Sequence, residues 1–339
     1  MTDLERVTHP TSEAPRELKV VLINDAASVG ATLAKFLPNV QVKHIKRTRG
    51  LFSKTIGIAY EILRSHGDVY HVNYLLQDCY VALKLRKRPL LAHAHGSDLR
   101  YTLKRGMLGR IVRYNLKNAD RVIVSTSDIL PIAKEYSENA VYVPNPVDTS
   151  LFYHAKKRES AGKTKVLIGS NANWAVKGTD MAIRALSKMK DRVAVSLIAQ
   201  GADLQRTIEL ARSLGLEVKL LEPVAHERMN SYYWDSDVVM DHFVYGSVSM
   251  VALEAIACGR PVITNVSSKY PEYNEFPIHD VDSEDKIAET LAEQNMQGLW
   301  EKEYSYLKAR HDPKIVAGQI RSIYDDLINV AYSRQTEFL

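Results

Sequence analysis

The chain has 339 residues, 45 Lys/Arg against 40 Asp/Glu, and a formal net charge of +5. That length exceeds what one hydrophobic core usually serves, so two domains are expected, and the composition is that of an ordinary globular protein. Apolar runs such as residues 19–23 and 193–198 are strand-length, and none approaches the roughly 18 residues that span a bilayer.

Residues 1–18 read as a loose tail, because the first fifteen are polar, include Pro10 and Pro15, and lack the apolar core of a secretory leader. A strand follows over 19–24, then a flexible turn to Gly30 and a helix over 31–37. The turn holds one glycine and no GxGxxG, so a dinucleotide fingerprint is absent. Strands over 40–45 and 68–72 alternate with helices over 56–64 and 75–85. The next apolar strand, from Leu90, runs into His93-Ala94-His95-Gly96-Ser97-Asp98. In a parallel sheet that end faces the ligand crevice. There His95 fits a contact to a ligand hydroxyl or a satisfied structural histidine, and Gly96 lets backbone approach a ligand. Asp98 fits the cap of the following helix equally well. His93 shares a face with His95 by alternation, but a metal site lacks a third clear ligand. A basic helix is expected over 100–117, a strand over 121–125 and a helix over 127–136. Pro144, Asn145 and Pro146 then stiffen an extended junction that ends at Phe152, and residues 154–164 are a polar linker.

The second half opens with a strand over 165–170 and a loop carrying Asn173 and Trp174. Lys177-Gly178-Thr179 begins a helix. A lysine there fits phosphate capture or an ordinary surface position. A strand over 193–199, a helix over 203–214, a short strand over 218–221 and a short helix over 226–235 lead to a buried strand over 237–241. Tyr245, Gly246, Ser247, Val248 and Ser249 form the loop between that strand and a helix that ends at Gly259. The next strand covers 261–264. This strand–loop–helix–strand unit places free N–H groups and a positive helix end at the loop, where an anion is welcome. Glu254 on that helix fits the ribose of a ligand or a solvated helix face. Asp235-Ser236-Asp237 is formally a metal-binding triplet but lies at the amino end of a strand, so its reading is structural and no divalent metal is expected. Helices over 282–292 and 300–310 precede a last helix from Pro313, with Ile315, Ile320, Ile323, Tyr324 and Leu327 at core spacing.

Charge is unevenly placed: residues 1–150 carry 22 Lys/Arg and 14 Asp/Glu, the remainder 23 and 26. The positive clusters are Lys43, Lys46, Arg47 and Arg49, then Lys84, Arg86, Lys87 and Arg88, then Arg100, Lys104, Arg105, Arg110 and Arg113. These clusters fit an ordinary solvated basic surface; among functional readings, with no nucleic-acid module or aromatic-basic signature beside them, an anionic membrane surface suits the basic half better than nucleic acid. Cys79 and Cys258 lie far apart without CxxC spacing, which suits a reducing cytoplasm and argues against a disulfide frame or zinc site.

Residues 252–263, ALEAIACGRPVI, resemble the donor-site signature of family 4 glycosyltransferases. Pro144 to Phe152 resembles that family's NGVDxxxF domain junction, with Pro146 in place of the glycine. HGSD and Lys177-Gly178 resemble its histidine and phosphate-lysine motifs. The resemblance implies a GT-B fold, that is, α/β with two doubly wound Rossmann-like domains facing a cleft. The acceptor domain would cover 19–150, the donor domain 151–312, and a terminal helix over 313–339 would cross back to the first domain. It further implies a retaining glycosyltransferase that moves sugar from a nucleotide-sugar donor to a glycan or lipid-linked acceptor. No cofactor or metal is implied, and the enzyme would work in the cytoplasm, against the inner face of the membrane where the basic domain touches it. His95, Lys177 and Glu254 are the implied catalytic set. Gly96, Asp98, Asn173, Lys177, Gly178, Tyr245, Gly246, Ser247, Val248, Ser249 and Glu254 are the donor-binding set. Two departures stand out. The family's earlier glutamate, eight positions before Glu254, is Gly246, with Asp241 and Tyr245-Gly246 as candidate replacements. The family's phosphate arginine is also missing, its candidate positions holding Ala172 and Trp174. These losses motivate a binding-only relative as one alternative. A sugar-nucleotide epimerase of the same architecture is another.

Overall fold

The computed structural model describes residues 17–47, 56–155, 162–293 and 295–336. Most of the tail, Arg49 and most of the polar linker lie outside those residues. Two parallel sheets carry the chain. The first uses β1 (Leu18–Ile23), β2 (Val40–Ile45), β3 (Val69–Asn73), β4 (Leu90–Ala94), β5 (Arg121–Val124) and β6 (Val141–Tyr142), in the order β2-β1-β3-β4-β5-β6. The second uses β7 (Thr164–Ile168), β8 (Val193–Ile198), β9 (Val218–Leu221), β10 (Val238–Met240) and β11 (Val262–Ile263), in the order β11-β10-β7-β8-β9. Central strands such as β3 and β4 are buried along their whole length, which is why they read as continuous apolar runs rather than alternating ones.

Helices α1 (Val29–Phe36), α2 (Ile58–Arg64), α3 (Gln77–Lys84), α4 (Ser97–Arg100), α5 (Gly106–Asn118) and α6 (Leu130–Lys134) accompany the first sheet. Helices α7 (Trp174–Lys177), α8 (Thr179–Ser187), α9 (Leu204–Ser213), α10 (Met229–Trp234), α11 (Met250–Ala257), α12 (Glu284–Glu293) and α13 (Met296–Arg310) accompany the second, and α14 (Pro313–Thr336) closes the chain. Strand order reverses between β1 and β3 and again between β7 and β10. Crevices open at such reversals, at the carboxyl ends of the strands. The loops after β1, β4, β7 and β10 all emerge there.

Three local expectations need correcting. The single helix over 100–117 is broken: Arg105 is extended (φ −99°, ψ 97°) and Gly106 is left-handed (φ +33°), so α5 starts afresh. Gly109 lets α5 lie on the Leu103 carbonyl, which a Cβ would approach to 2.3 Å. The 171–176 loop contains α7, a single turn. In α14 the buried stripe is Val316, Ala317, Ile320, Tyr324 and Leu327, while Ile315 is 43% exposed. That stripe packs on Leu18, Val20, Leu22, Val29 and Leu33 of β1 and α1, so the last helix belongs to the first domain's core. The crossing is pinned by Arg321, whose Nη1 donates to the carbonyls of Pro38 and Asn39.

Candidate active site in the interdomain cleft

Two cavities meet where the carboxyl ends of the two sheets face each other. One, of about 300 Å³, is lined from the first domain by Ala26, Ala27, Tyr74, His95, Arg100, Thr126 and Asn145. From the second domain Lys177, His242 and Ser247 to Val251 line it. The other, of about 260 Å³, is lined by Gly169, Ser170, Asn171, Gln200, Pro223, Val224, His226, Tyr233 and Glu254. Ala27, Lys177, Met250 and Val251 line both, so the two form one continuous trough. A larger groove, of about 770 Å³, lies at the amino ends of β8 and β9, on the edge that α/β sheets do not use for ligands.

Glu254 is 2% exposed on α11, which excludes the solvated-face reading. Its Oε2 accepts from the Tyr233 hydroxyl at 3.0 Å, and its Oε1 pairs with Nε2 of His226 at 2.7 Å. Ser249 caps α11 by accepting from the Ala252 N–H at 3.1 Å, and its hydroxyl donates to Asp241. The Lys177 ammonium lies 3.6 Å from Asp241 Oδ1. Burial alone would push the Asp241 carboxyl up. Lys177, His242 and the Ser249 hydroxyl outweigh it and hold the carboxyl below its ordinary value. The amine and the amino end of α11 are therefore tied together through one buried carboxylate, and both face the 300 Å³ cavity. A point charge opposite a helix end can take an anion such as a phosphate.

On the first domain, His95 is held by Asn73. Asn73 Nδ2 donates to the Asn24 carbonyl at 3.3 Å, so its Oδ1 faces His95 Nε2 at 2.9 Å and that nitrogen carries the proton. Nδ1 is left as the acceptor. Burial pushes His95 down to about 3, so the ring is neutral at physiological pH. His93 stacks on it, ring centroids 4.0 Å apart. Behind them His71 pairs with His93 at 3.2 Å and with the Tyr324 hydroxyl of α14 at 2.6 Å. His93 is therefore structural, part of a buried neutral column under the cleft. The turn after β1, expected to be flexible, is tied down. Asn24 Nδ2 donates to Asp78, the His44 ring meets the Asn24 carbonyl, and the Gly30 N–H donates to Asp25.

Other expected donor residues have different tasks. Asp98 is 1% exposed and accepts from the N–H groups of Leu75, His95, Gly96 and Leu99, so it ties down the loop beneath the cavity instead of lining it. Asn173 caps α7 by accepting from the Val176 N–H at 3.0 Å. Gly96 (φ +107°) and Gly178 (φ +66°) hold positive-φ backbone that favours glycine, and neither lines the trough. A Cβ on Gly96 would strike Arg100, and one on Gly178 would strike Met181. Tyr245 does not line the trough. Its ring lies 4.9 Å from the Arg100 guanidinium, bridging the domains. Gly246 is left-handed (φ +61°), and a Cβ there would stand 2.6 Å from the Ser267 Cβ, so the family glutamate has no room in this loop. Trp174, at a position of the missing arginine, stacks under Arg206 at 4.0 Å and donates from its indole to Thr207. The triplet at 235–237 is engaged by Lys165: its Nζ donates to Asp235 and its N–H to Asp237.

Sequence reasoning missed His226, Tyr233, His242, Arg100, Thr126, Asn145 and Tyr74. Asn145 lies in the junction motif but was not singled out, the others sit outside the quoted motifs, and the close approach of the two domains is what brings them to one trough. Among the described residues no helix is long and apolar enough to cross a membrane, and no three His/Cys/Asp/Glu are grouped to hold a metal ion.

Comparison with known proteins agrees with this architecture. Residues 17–151 match the model of glycosyltransferase family 4, and residues 162–294 match that of glycosyl transferases group 1. A D-inositol 3-phosphate glycosyltransferase of Corynebacterium jeikeium is 26% identical over 65% of this chain and 59% of its own length. The chain thus spans less than two thirds of that curated relative. The fold is shared with sucrose-phosphate synthase from Thermosynechococcus elongatus, at TM-score 0.73 and 17% identity over 92% of this chain and all of that one. It is also shared with Anabaena HepE in complex with UDP-glucose, at TM-score 0.70 and 17% identity over 91% of this chain and all of that one. Two family models laid end to end over the two sheets, and a cleft between them, identify the chain as a member of the family 4 glycosyltransferases, with the GT-B fold.

Proposed function

We propose that the protein is a retaining glycosyltransferase that moves a sugar from a nucleotide-sugar donor to a glycan or lipid-linked acceptor. The observation that carries this reading is the continuous trough in which Glu254, Lys177, the amino end of α11 and His95 succeed one another across the domain boundary. Glu254 receives the ribose diol. Lys177 and the N–H groups of 247–249 receive the diphosphate, and His95 offers Nδ1 to a sugar hydroxyl. The sugar carbon–oxygen bond to the diphosphate breaks through an oxocarbenium-like state, and charge grows on the leaving oxygen. Lys177 and the helix end stabilise that charge as it forms. The acceptor hydroxyl attacks on the same face, and its proton passes to the leaving phosphate, so no protein base is required. The UDP-glucose of the HepE complex and the D-inositol 3-phosphate in the corynebacterial relative's name are compatible chemistry for the trough.

A lipid-linked acceptor suits the outer face of the first domain. Ile56, Tyr60 and Leu63 are exposed on and just before α2, and Met107 is exposed on α5 close in sequence to Lys104, Arg105 and Arg110. Helix α3 packs against both α2 and α5, which joins these residues into one side of the domain. A binding-only relative is the second reading, favoured by the closed space at Gly246. Incubation with UDP-, GDP- and ADP-linked sugars, with and without simple glycan acceptors, separates the two. Release of free nucleotide from one donor is expected. Binding without release from every donor would favour the second reading.

A further inference from the structure

Glu254 already has two partners, and only one of them can give way. Tyr233 is fully buried behind the carboxylate. The His226 side chain is 31% exposed and lines both the ribose side of the trough and a second cavity, also about 260 Å³, against α1. Its other nitrogen, Nδ1, meets the Ser28 hydroxyl of the first domain at 3.0 Å. Ser28 is left-handed (φ +61°), as is Ala27 before it (φ +46°), so the first domain holds an unfavourable turn at this contact. A vicinal diol that takes both oxygens of Glu254 therefore competes with His226.

We propose that His226 is a positioning residue, which holds Glu254 in register until the diol of a nucleotide displaces the imidazole from Oε1, and which gives up its Ser28 contact as it moves. The proposal rests on the nucleotide reading of Glu254. The ring is faced by Glu254 on α11, which Tyr233 on α10 holds from behind, by Asp25 and Ser28 after β1, the neighbouring Glu227, and the Phe152 ring. Lys35 and Asp148, across the second cavity, pair with each other at 3.0 Å. The Glu254 hydrogen bond holds the imidazole above its ordinary value, against burial. Displacement removes that partner and lets the value fall. The unliganded protein then carries the extra proton, so nucleotide binding releases it and affinity rises with pH through the window between the two values.

The test titrates UDP, GDP and ADP onto the full chain at pH 6, 7 and 8, by calorimetry in two buffers of different ionisation enthalpy. His226→Gln is run alongside, because its amide still donates to Glu254 but does not titrate. This variant also cancels the terminal phosphate's own titration. For the nucleotide that binds, wild type is expected to release more protons than the variant. The ratio of wild-type to variant affinity is expected to rise severalfold from pH 6 to pH 8, with a ceiling of about tenfold per pH unit. Ser28→Ala is expected to bind about twofold or more tightly, since less is broken on binding. Equal proton release by wild type and His226→Gln overturns the displacement, and unchanged or weaker binding by Ser28→Ala overturns its interdomain part. Should none of the three nucleotides bind, the nucleotide reading of Glu254 fails and takes this inference with it.

Discussion

Glu254 could be read from the sequence as ribose ligand or surface decoration, because helical spacing says nothing about which side the other domain occupies. Burial excludes the surface reading, and a buried carboxylate with hydroxyl and imidazole partners is costly to hold. Glu254→Gln, which keeps the shape, and Lys177→Ala are each expected to lower turnover about a hundredfold or more while the far-ultraviolet spectrum is unchanged. Wild-type rates in either would remove that residue from the site. Gly246 is the opposite case: the family comparison marks a missing carboxylate, and the backbone explains why none fits. Writing it back as Gly246→Glu forces a side chain into left-handed backbone against Ser267. A loss of more than about 1 kcal/mol of stability, read from denaturant midpoints, is expected, with no gain in turnover. His226 and Arg100 were invisible because their partners lie far along the chain: His226 meets Glu254 and Ser28, and Arg100 meets Asp128 and the Tyr245 ring.

Strands and helices were legible where periodicity was strong. β2 and β9 match their expected limits, and α11 with its cap follows from the Ser249-to-Gly259 pattern. What failed was helix continuity. The 100–117 segment has helical composition throughout, and its break depends on Gly106 and on the close packing at Gly109. Glu303 on α13 was likewise unreadable. It is wholly buried, accepts from the Val262 N–H through Oε2 at 3.0 Å, and burial holds its carboxyl well above the ordinary value. A raised carboxyl binds its proton in the folded state, so this group costs stability as pH rises above the unfolded value near 4.5. Glu303→Gln keeps the acceptor and is expected to raise Tm by about 2 °C or more at pH 8, and by less at pH 5. An equal change at both would show that ionisation is not the cause. For the α2–α3–α5 side, sedimentation with vesicles rich in anionic lipid should be strong at low salt and fall as salt screens it. No sedimentation at low salt would dispose of the membrane surface.

At the scale of the molecule, the excess positive charge of the first domain is partly spent internally. Arg47 pairs with Asp78, Arg88 with Asp120 and Arg100 with Asp128. That expenditure is not readable from a charge count. Two domains and their parallel sheets were readable, because buried strands and amphipathic helices alternate twice along the chain. The cleft between them followed from the family resemblance, but its lining was not readable, since it depends on contacts such as Tyr273 accepting from the Ser127 N–H and α14 returning to β1. The central claim is that Lys177 and the amino end of α11 jointly hold a diphosphate in that trough. It is tested most directly by comparing the affinities of the nucleoside diphosphate and monophosphate of the preferred base, for wild type and Lys177→Ala. Wild type should favour the diphosphate about tenfold or more, and Lys177→Ala should lose most of that preference. A preference that survives the substitution intact would mean the phosphates lie elsewhere.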